Sequence, residues 1–131
     1  MADKPVYYTI PVVIPAAVPA TANTAVDGTG TLTEIARGSA TKIRKADRVG
    51  FKFLATTTVT QVKLFLSTDN GTTKRFWKEA AVPAVTVAPG TPGAEGIIAL
   101  EGFALLSDQY VIYAAPYTAH AFNTFTELFE P

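Results

Sequence analysis

The residues of this chain that could carry out chemistry are few and scattered. His120 is the single histidine, and a hydrolytic triad would have to bring it together with a serine and a carboxylate. The serines, Ser39, Ser67 and Ser107, all lie in predicted turns, and none stands in a G-x-S-x-G elbow. A histidine between two alanines is more typical of a turn or a strand edge. We therefore expect no catalytic residue and no enzyme.

Neither the carboxylates nor the short turn motifs form a complete site. The acidic residues are scattered singly, whereas a glycosidase needs two carboxylates at a fixed separation in a cleft. Asp69-Asn70-Gly71 matches part of a calcium loop but lacks the remaining oxygen ligands. Asp27-Gly28-Thr29-Gly30 lacks the helix and the lysine of a phosphate loop. Because the chain has one histidine and no cysteine, we expect no metal and no cofactor.

One predicted strand, from Thr72 to Glu79, combines basic and aromatic side chains. Lysine and arginine beside aromatic rings can bind single-stranded nucleic acid by charge and stacking. The chain, however, has a net charge of zero, and phosphate binding depends on clustered positive charge. We therefore expect no nucleic-acid partner and interpret this segment as a strand with an aromatic core face. Its Trp77 is suited equally to a core and to an interface.

The composition favours a protein that associates with other protein surfaces. The 131 residues fit one domain, 48% of them are hydrophobic, and acidic and basic residues are equal in number. Copies of such a chain repel each other little, so self-association or burial in an assembly would explain the composition. No uninterrupted apolar run reaches the roughly 18 residues of a membrane span. Prolines also interrupt the apolar N-terminal stretch, which disfavours a signal peptide.

The prediction divides the chain into an extended N-terminal arm, residues 1–26, and a β-sandwich domain, residues 27–131. Prolines recur through the arm, and each one fixes φ and removes an N–H donor, so a helix or a central strand cannot run through it. Two alternatives remain: an edge strand on its own domain, or an arm that lies across a neighbouring subunit. We predict an interface formed by the apolar side chains of the arm together with the tryptophan: Val6, Tyr7, Tyr8, Ile10, Val12, Val13, Ile14 and Trp77.

The remaining sequence has the texture of short antiparallel strands. Apolar residues alternate at Val49, Phe51 and Phe53, as in a half-buried strand. Asp69-Asn70-Gly71 tolerates positive φ and predicts a hairpin between strands at 61–67 and 72–79. A Pro- and Gly-rich loop over 82–96 is expected to cross between sheets. Further strands are predicted at 31–36, 40–44, 97–106, 109–115 and 122–129. The pattern predicts an all-β, antiparallel, jelly-roll-like sandwich.

Several segments together resemble a family of small structural proteins of tailed bacteriophages, the capsid decoration or cement proteins. The resemblance rests on the order of short motifs along about three quarters of the chain. In chain order they are Asp27-Gly28-Thr29-Gly30-Thr31, Lys42-Ile43-Arg44, Thr56-Thr57-Thr58, Val62-Lys63-Leu64-Phe65-Leu66, Lys74-Arg75-Phe76-Trp77-Lys78-Glu79, Val82-Pro83-Ala84-Val85-Thr86, Ser107-Asp108-Gln109-Tyr110 and Thr118-Ala119-His120-Ala121-Phe122. The Pro-rich arm and the loop from Pro89 to Gly93 depart from the family pattern.

The resemblance implies a virion component on the outer capsid surface, assembled in the host cytoplasm. Its expected partners are the major capsid protein lattice and other copies of itself, as a trimer or a dimer, because a closed symmetric oligomer would bury the apolar excess. Two alternatives stay open. A tail or fibre component would expose an aromatic loop, such as Tyr113 to Phe122, to sugars of a host surface. A carbohydrate-binding module would instead need a flat or grooved aromatic patch that binds glycans.

Overall fold

The computed structural model describes residues 7–131, which fold into eight antiparallel β-strands without a helix in that range. The all-β prediction is confirmed. Val6, one of the predicted interface residues, lies outside the described part of the chain. The strands are β1 (Ile10–Val18), β2 (Thr33–Arg37), β3 (Arg44–Phe53), β4 (Thr60–Ser67), β5 (Arg75–Val82), β6 (Glu95–Leu105), β7 (Val111–Pro116) and β8 (Phe122–Glu130).

The strands form two four-stranded sheets with the order β1-β8-β3-β6 and β2-β7-β4-β5. In chain order, the first strand pairs with the last, the second with the seventh, the third with the sixth and the fourth with the fifth. This is a long hairpin wrapped into a sandwich, the jelly-roll arrangement of two Greek keys. The predicted sandwich is therefore confirmed, and the loop after β5 does cross from one sheet to the other.

The core lies between the sheets and is built by the period-two alternation of the strands. Phe51 and Phe53 point inward from β3, and Phe122 points inward from β8. The rings of Phe53 and Phe122 lie 5.0 Å apart. Alternate residues of the same strands point outward, so each sheet has a second face that the core does not cover. The sandwich therefore has two outer faces, one on each sheet.

The predicted hairpin is present, with boundaries that differ from the sequence expectation. Asn70 and Gly71 both have positive φ, 57° and 87°, as Asn-Gly turn chemistry requires. A Cβ at Gly71 would come within 2.4 Å of the Tyr113 hydroxyl, which also favours glycine there. The returning strand begins at Arg75 rather than Thr72, because the Asp69 carboxylate accepts the Thr73 N–H and lengthens the turn.

The prediction of a strand over 40–44 was wrong. Residues 40–43 connect β2 of one sheet to β3 of the other and belong to no strand. A polar turn replaces the ladder there, since the Ser39 hydroxyl accepts the Thr41 N–H at 3.2 Å. The crossing between sheets leaves this segment without a neighbouring strand to pair with.

Residues 10–18 of the Pro-rich segment form the edge strand β1, paired with β8 of the same chain. Pro11 and Pro15 are four residues apart and therefore have the same orientation in the strand. A proline fits a ladder only where its nitrogen points away from the neighbouring strand. The free edge of β1 thus lacks two N–H donors, which hinders the addition of another strand. Exchange of the arm between copies, and the division after residue 26, stay predictions.

Candidate assembly surfaces

The outer face of the β2-β7-β4-β5 sheet is covered by the chain itself. We call residues 19–32, which join β1 to β2, the strap. Lys63 and Phe65 alternate with the inward Val62 and Leu64 on β4 and so point outward, yet they are only 1% and 0% exposed. The Lys63 ammonium donates a hydrogen bond to the carbonyl of Ala25 in the strap. We call this surface the covered face.

Lys63 is an uncommon residue to find buried, and its surroundings account for it. Its ammonium lies over the rings of Phe65 and Tyr117, at 5.6 and 5.9 Å from their centroids. Burial lowers the pKa of Lys63, and the charge of Glu79 acts in the opposite direction. One side chain therefore attaches the strap to the middle of the sheet, through a charge-assisted hydrogen bond.

Asn23 determines the path of the strap. Its side-chain amide donates to the carbonyls of Thr29 and Thr31 at 3.0 and 3.1 Å, and its carbonyl oxygen accepts the Ala25 N–H. Its own backbone N–H donates to the carbonyl of Pro116 on β7 at 2.9 Å. A buried amide with all these partners fixes both the curvature of the strap and its attachment to the sheet.

The outer face of the β1-β8-β3-β6 sheet carries apolar side chains that no segment of residues 7–131 covers. Strand register places Pro15, Phe125, Gly50 and Ile97 side by side in one row across all four strands. Phe125 is 45% exposed and Ile97 is 61% exposed. We use the name bare face for the outward residues of three adjacent rows: Val13, Pro15, Ala17, Arg48, Gly50, Lys52, Glu95, Ile97, Ala99, Asn123, Phe125 and Glu127.

Ion pairs border the apolar row on both sides. Arg48 Nε lies 2.5 Å from a carboxylate oxygen of Glu127, and this contact raises the pKa of Arg48. Lys52 and Glu95 are farther apart, at 3.9 Å. Two shallow grooves flank the Phe125 ring. The larger, about 360 Å³, lies over Gly50, Gly96 and Ile97, and the other lies over Pro15 and Ala17. An apolar strip with a polar rim is the usual anatomy of a protein–protein interface.

The structure divides the predicted interface residues of the arm between two environments. Val12 and Ile14 point inward and pack against the core. Ile10 and Val13 are exposed, and Val13 belongs to the bare face. The prolines were interpreted as excluding a helix or a central strand, and an edge strand was left open without a prediction of which side chains would point inward. Tyr7 is exposed, and the Tyr8 ring lies 4.3 Å from the Lys45 ammonium.

Trp77 lies at the side of the sandwich, where the edge strands β5 and β6 meet. It is the extra residue of a bulge, since Leu64 pairs with Lys78 while Phe65 pairs with Phe76. The bulge turns the indole toward the other sheet, where its ring lies 4.9 Å from the ring of Phe103. Trp77 thus joins the two sheets, and a part in an interface stays a prediction.

The residues considered for catalysis are not brought together. His120 Nε2 accepts the Thr58 N–H at 3.2 Å and lies 2.9 Å from the Thr58 hydroxyl. Each serine hydroxyl makes a local hydrogen bond with the residue two positions further along the chain: Ser39 with Thr41, Ser67 with Asp69 and Ser107 with Gln109. Across residues 7–131, no three His, Asp or Glu side chains are clustered for a metal ion. The same range contains no helix that could cross a membrane.

The loop that was expected to present aromatic rings to glycans is mostly strand or core. Tyr113 belongs to β7 and is half-buried, and Phe122 is buried at the start of β8. Tyr117 is the aromatic residue that remains exposed between them, and it lies near the Lys63 ammonium. A flat aromatic platform for sugar rings is therefore absent from this described loop.

The sequence matches no protein-family model and no curated protein. Among solved structures, a chain in the acidic stable capsid structure of Helicobacter pylori bacteriophage KHP30 is 10% identical, with a TM-score of 0.59, and the match covers 94% of this chain and 90% of that one. A chain of the cyanophage Pam1 capsid asymmetric unit is 15% identical over 100% of this chain and 92% of that one, with a TM-score of 0.47. At these identities the likeness concerns the fold, and the KHP30 chain is the stronger match. The protein shares its jelly-roll sandwich with a chain found in a phage capsid.

Proposed function

We propose that the protein is a structural virion protein that binds and stabilises a phage capsid as a cement or decoration protein. The observation that carries the proposal is the match to a chain of the KHP30 capsid over nearly the whole of both chains. The order of motifs in the sequence supports it, because it resembles the decoration family independently of the fold. The partners would be the major capsid protein lattice and other copies of the chain, on the outer surface of the virion.

The surface properties agree with a role in assembly rather than in catalysis. A cement protein needs a rigid body, which the packed sandwich provides, and an apolar surface with a polar rim, which the bare face provides. The chain has no excess charge to oppose close packing of many copies. His120 and the serines are engaged in separate local contacts, so a catalytic role for them gains no support from their geometry.

The test uses empty shells assembled from the major capsid protein of the phage that encodes the chain. Purified chain is added to shells that lack it, the shells are sedimented, and the bound amount and the temperature of shell disruption are measured. We expect binding that saturates at a fixed ratio and a higher disruption temperature, since a ligand that binds only the assembled state stabilises it. An unrelated folded protein of similar size serves as the control. If the folded chain stays in the supernatant, the proposal is wrong.

A further inference from the structure

We infer that the bare face is the surface through which two copies of this chain pair, with Phe125 of each copy seated over Gly50 of the other. The inference deepens the proposed function and rests on it, because it names the contact surface between copies in the assembly. The apolar row, Gly50 and the arrangement of charges each support a second copy as the occupant.

Gly50 is a glycine that the single chain does not require. It lies in the middle of β3, and its φ is outside the left-handed region. A Cβ built there would meet only the carbonyl oxygen of Phe125, at an ordinary 3.7 Å. Glycine inside a strand weakens it, and often marks a place where another group approaches the backbone closely. Apart from Gly50 and its two neighbours in the chain, no heavy atom of residues 7–131 other than that carbonyl oxygen lies within 4 Å of the Cβ position, and we assign the space to a second copy.

The row that contains Gly50 is complementary to itself. A two-fold axis parallel to the strands, between β8 and β3, brings β8 of one copy over β3 of the other and β1 over β6. Phe125 then faces Gly50 of the second copy, and its ring enters the groove of about 360 Å³. Pro15 faces Ile97 in the same row. Such an isologous contact places the same patch of both copies in one interface.

The charges beside the row obey the same symmetry. In the neighbouring row, Glu127 of one copy faces Arg48 of the other, and Val13 faces Ala99. On the opposite side, Asn123 faces Lys52. No pair of like charges is opposed in these rows. A two-fold axis across the strands would instead bring Arg48 over Lys52, so the charges select the axis parallel to the strands.

The size of the face is sufficient for pairing. Four strands spaced about 4.8 Å apart, with about 3.3 Å per residue along a nine-residue strand, give a surface of roughly 600 Å². Two copies would together bury about 1,200 Å², which lies at the lower end of the roughly 1,200 to 2,000 Å² of a standard interface. Two such sheets pack face to face at about 10 Å with their strands nearly aligned. The proline-bearing edge of β1 hinders the competing mode, in which a strand of the partner extends the sheet.

The test measures the mass of the full chain by sedimentation velocity over a concentration series, without any capsid protein. We expect the wild-type chain to form dimers. Phe125→Thr should raise the dissociation constant at least about 30-fold, as for a central aromatic anchor. Gly50→Val should have a similar effect while the monomer keeps its fold and its melting temperature. Val59→Ser removes a side chain that is 74% exposed outside the bare face, and should leave the dimer unchanged.

Charge exchange separates contact between copies from contact within one copy. Arg48→Glu and Glu127→Arg each place like charges across the proposed interface, so each variant alone should be monomeric. Mixed in equal amounts, the two variants should form a heterodimer, because every opposed pair is then of opposite sign. A mixture that stays monomeric, or a wild-type oligomer unaffected by Phe125→Thr and Gly50→Val, would overturn the inference.

Binding to capsid shells distinguishes failure of this inference from failure of the proposed function. If Phe125→Thr and Gly50→Val lose shell binding while the wild-type chain is monomeric in solution, the bare face contacts the capsid protein. That result overturns pairing and leaves the cement role in place. If the wild-type chain pairs through the bare face but never binds shells, the proposed function is wrong and the self-association remains.

Discussion

The two outer faces of the sandwich are both apolar, and they differ in what covers them. On the covered face, Phe65 is fully buried, and its ring lies 5.6 Å from the Lys63 ammonium that binds the strap. On the bare face, Phe125 has an equivalent outward position on β8 and remains 45% exposed. The strap, which connects β1 to β2, covers the first of these faces. One face is therefore buried by the chain itself, whereas the other stays exposed within residues 7–131.

The largest expected difference comes from replacing the same residue type on each face. Phe65→Ala should lower the free energy of unfolding by about 3 to 5 kcal/mol, because it leaves a cavity in the covered face beside the ring of Phe76. Phe125→Ala should lower it by about 1 kcal/mol or less in the monomer, since its ring is already partly in water. Urea denaturation of dilute protein measures both values. Equal losses of unfolding free energy would show that the two faces contribute equally to the stability of the single chain.

A smaller loss is expected from the strap itself. Asn23→Ala leaves the carbonyls of Thr29 and Thr31 without their amide donor, and should lower the free energy of unfolding by about 1 to 3 kcal/mol. Amide hydrogen exchange should accelerate over residues 19–32 and hardly change in β3 and β8. Asn123→Ala, on the bare face, is the matched control and should leave exchange in the strap at the wild-type rate. Uniform acceleration along the chain would contradict a local role.

At the end of β8, a buried carboxylate should make stability depend on acid pH. The hydrogen bond from Lys42, with a further contribution from Arg44, lowers the pKa of Glu130 below its ordinary value of 4.5. The unfolded chain therefore takes up this proton at a higher pH than the folded chain. The contribution of Glu130 is present above the ordinary pKa and is lost as the pH falls through the lowered folded value.

The corresponding measurement is the melting temperature of wild type and Glu130→Gln between about pH 7 and about pH 3. We expect the melting temperature of wild type to fall further than that of Glu130→Gln over this range. Lys42→Met removes the first partner of the carboxylate and should change the profile in the same direction as Glu130→Gln. Parallel profiles for all three proteins would show that Glu130 does not control the acid limit.

The smallest effect is expected for the exposed ion pair of the bare face. Arg48→Gln should hardly change the denaturation midpoint of the monomer, because exposed ion pairs contribute little to stability. Moderate salt should weaken even that contribution. Chemical denaturation at low and high ionic strength measures it. A loss as large as that of Phe65→Ala would show that Arg48 stabilises the single chain and is not merely part of a rim.

Local patterns in the sequence were sufficient to predict most of the fold. Alternating apolar residues identified β3, and the Asn70-Gly71 turn identified the hairpin between β4 and β5. Both depend on interactions between residues close in the chain. The strand predicted over 40–44 failed because pairing depends on a neighbour, and that segment crosses between sheets. The Pro-rich segment concealed the alternation of β1, which proline permits at a sheet edge.

The sequence by itself determined an all-β chain with zero net charge, no cysteine and an excess of apolar residues. Tertiary structure alone decided which of those residues remain exposed. Lys63 is buried because the strap crosses it, and Phe125 meets Gly50 because β8 pairs with β3 across a separation of 75 residues in the chain. Register between distant strands is set by the packing of the whole sandwich. A local pattern therefore shows which side chains share a face, but only the folded chain shows whether that face is covered.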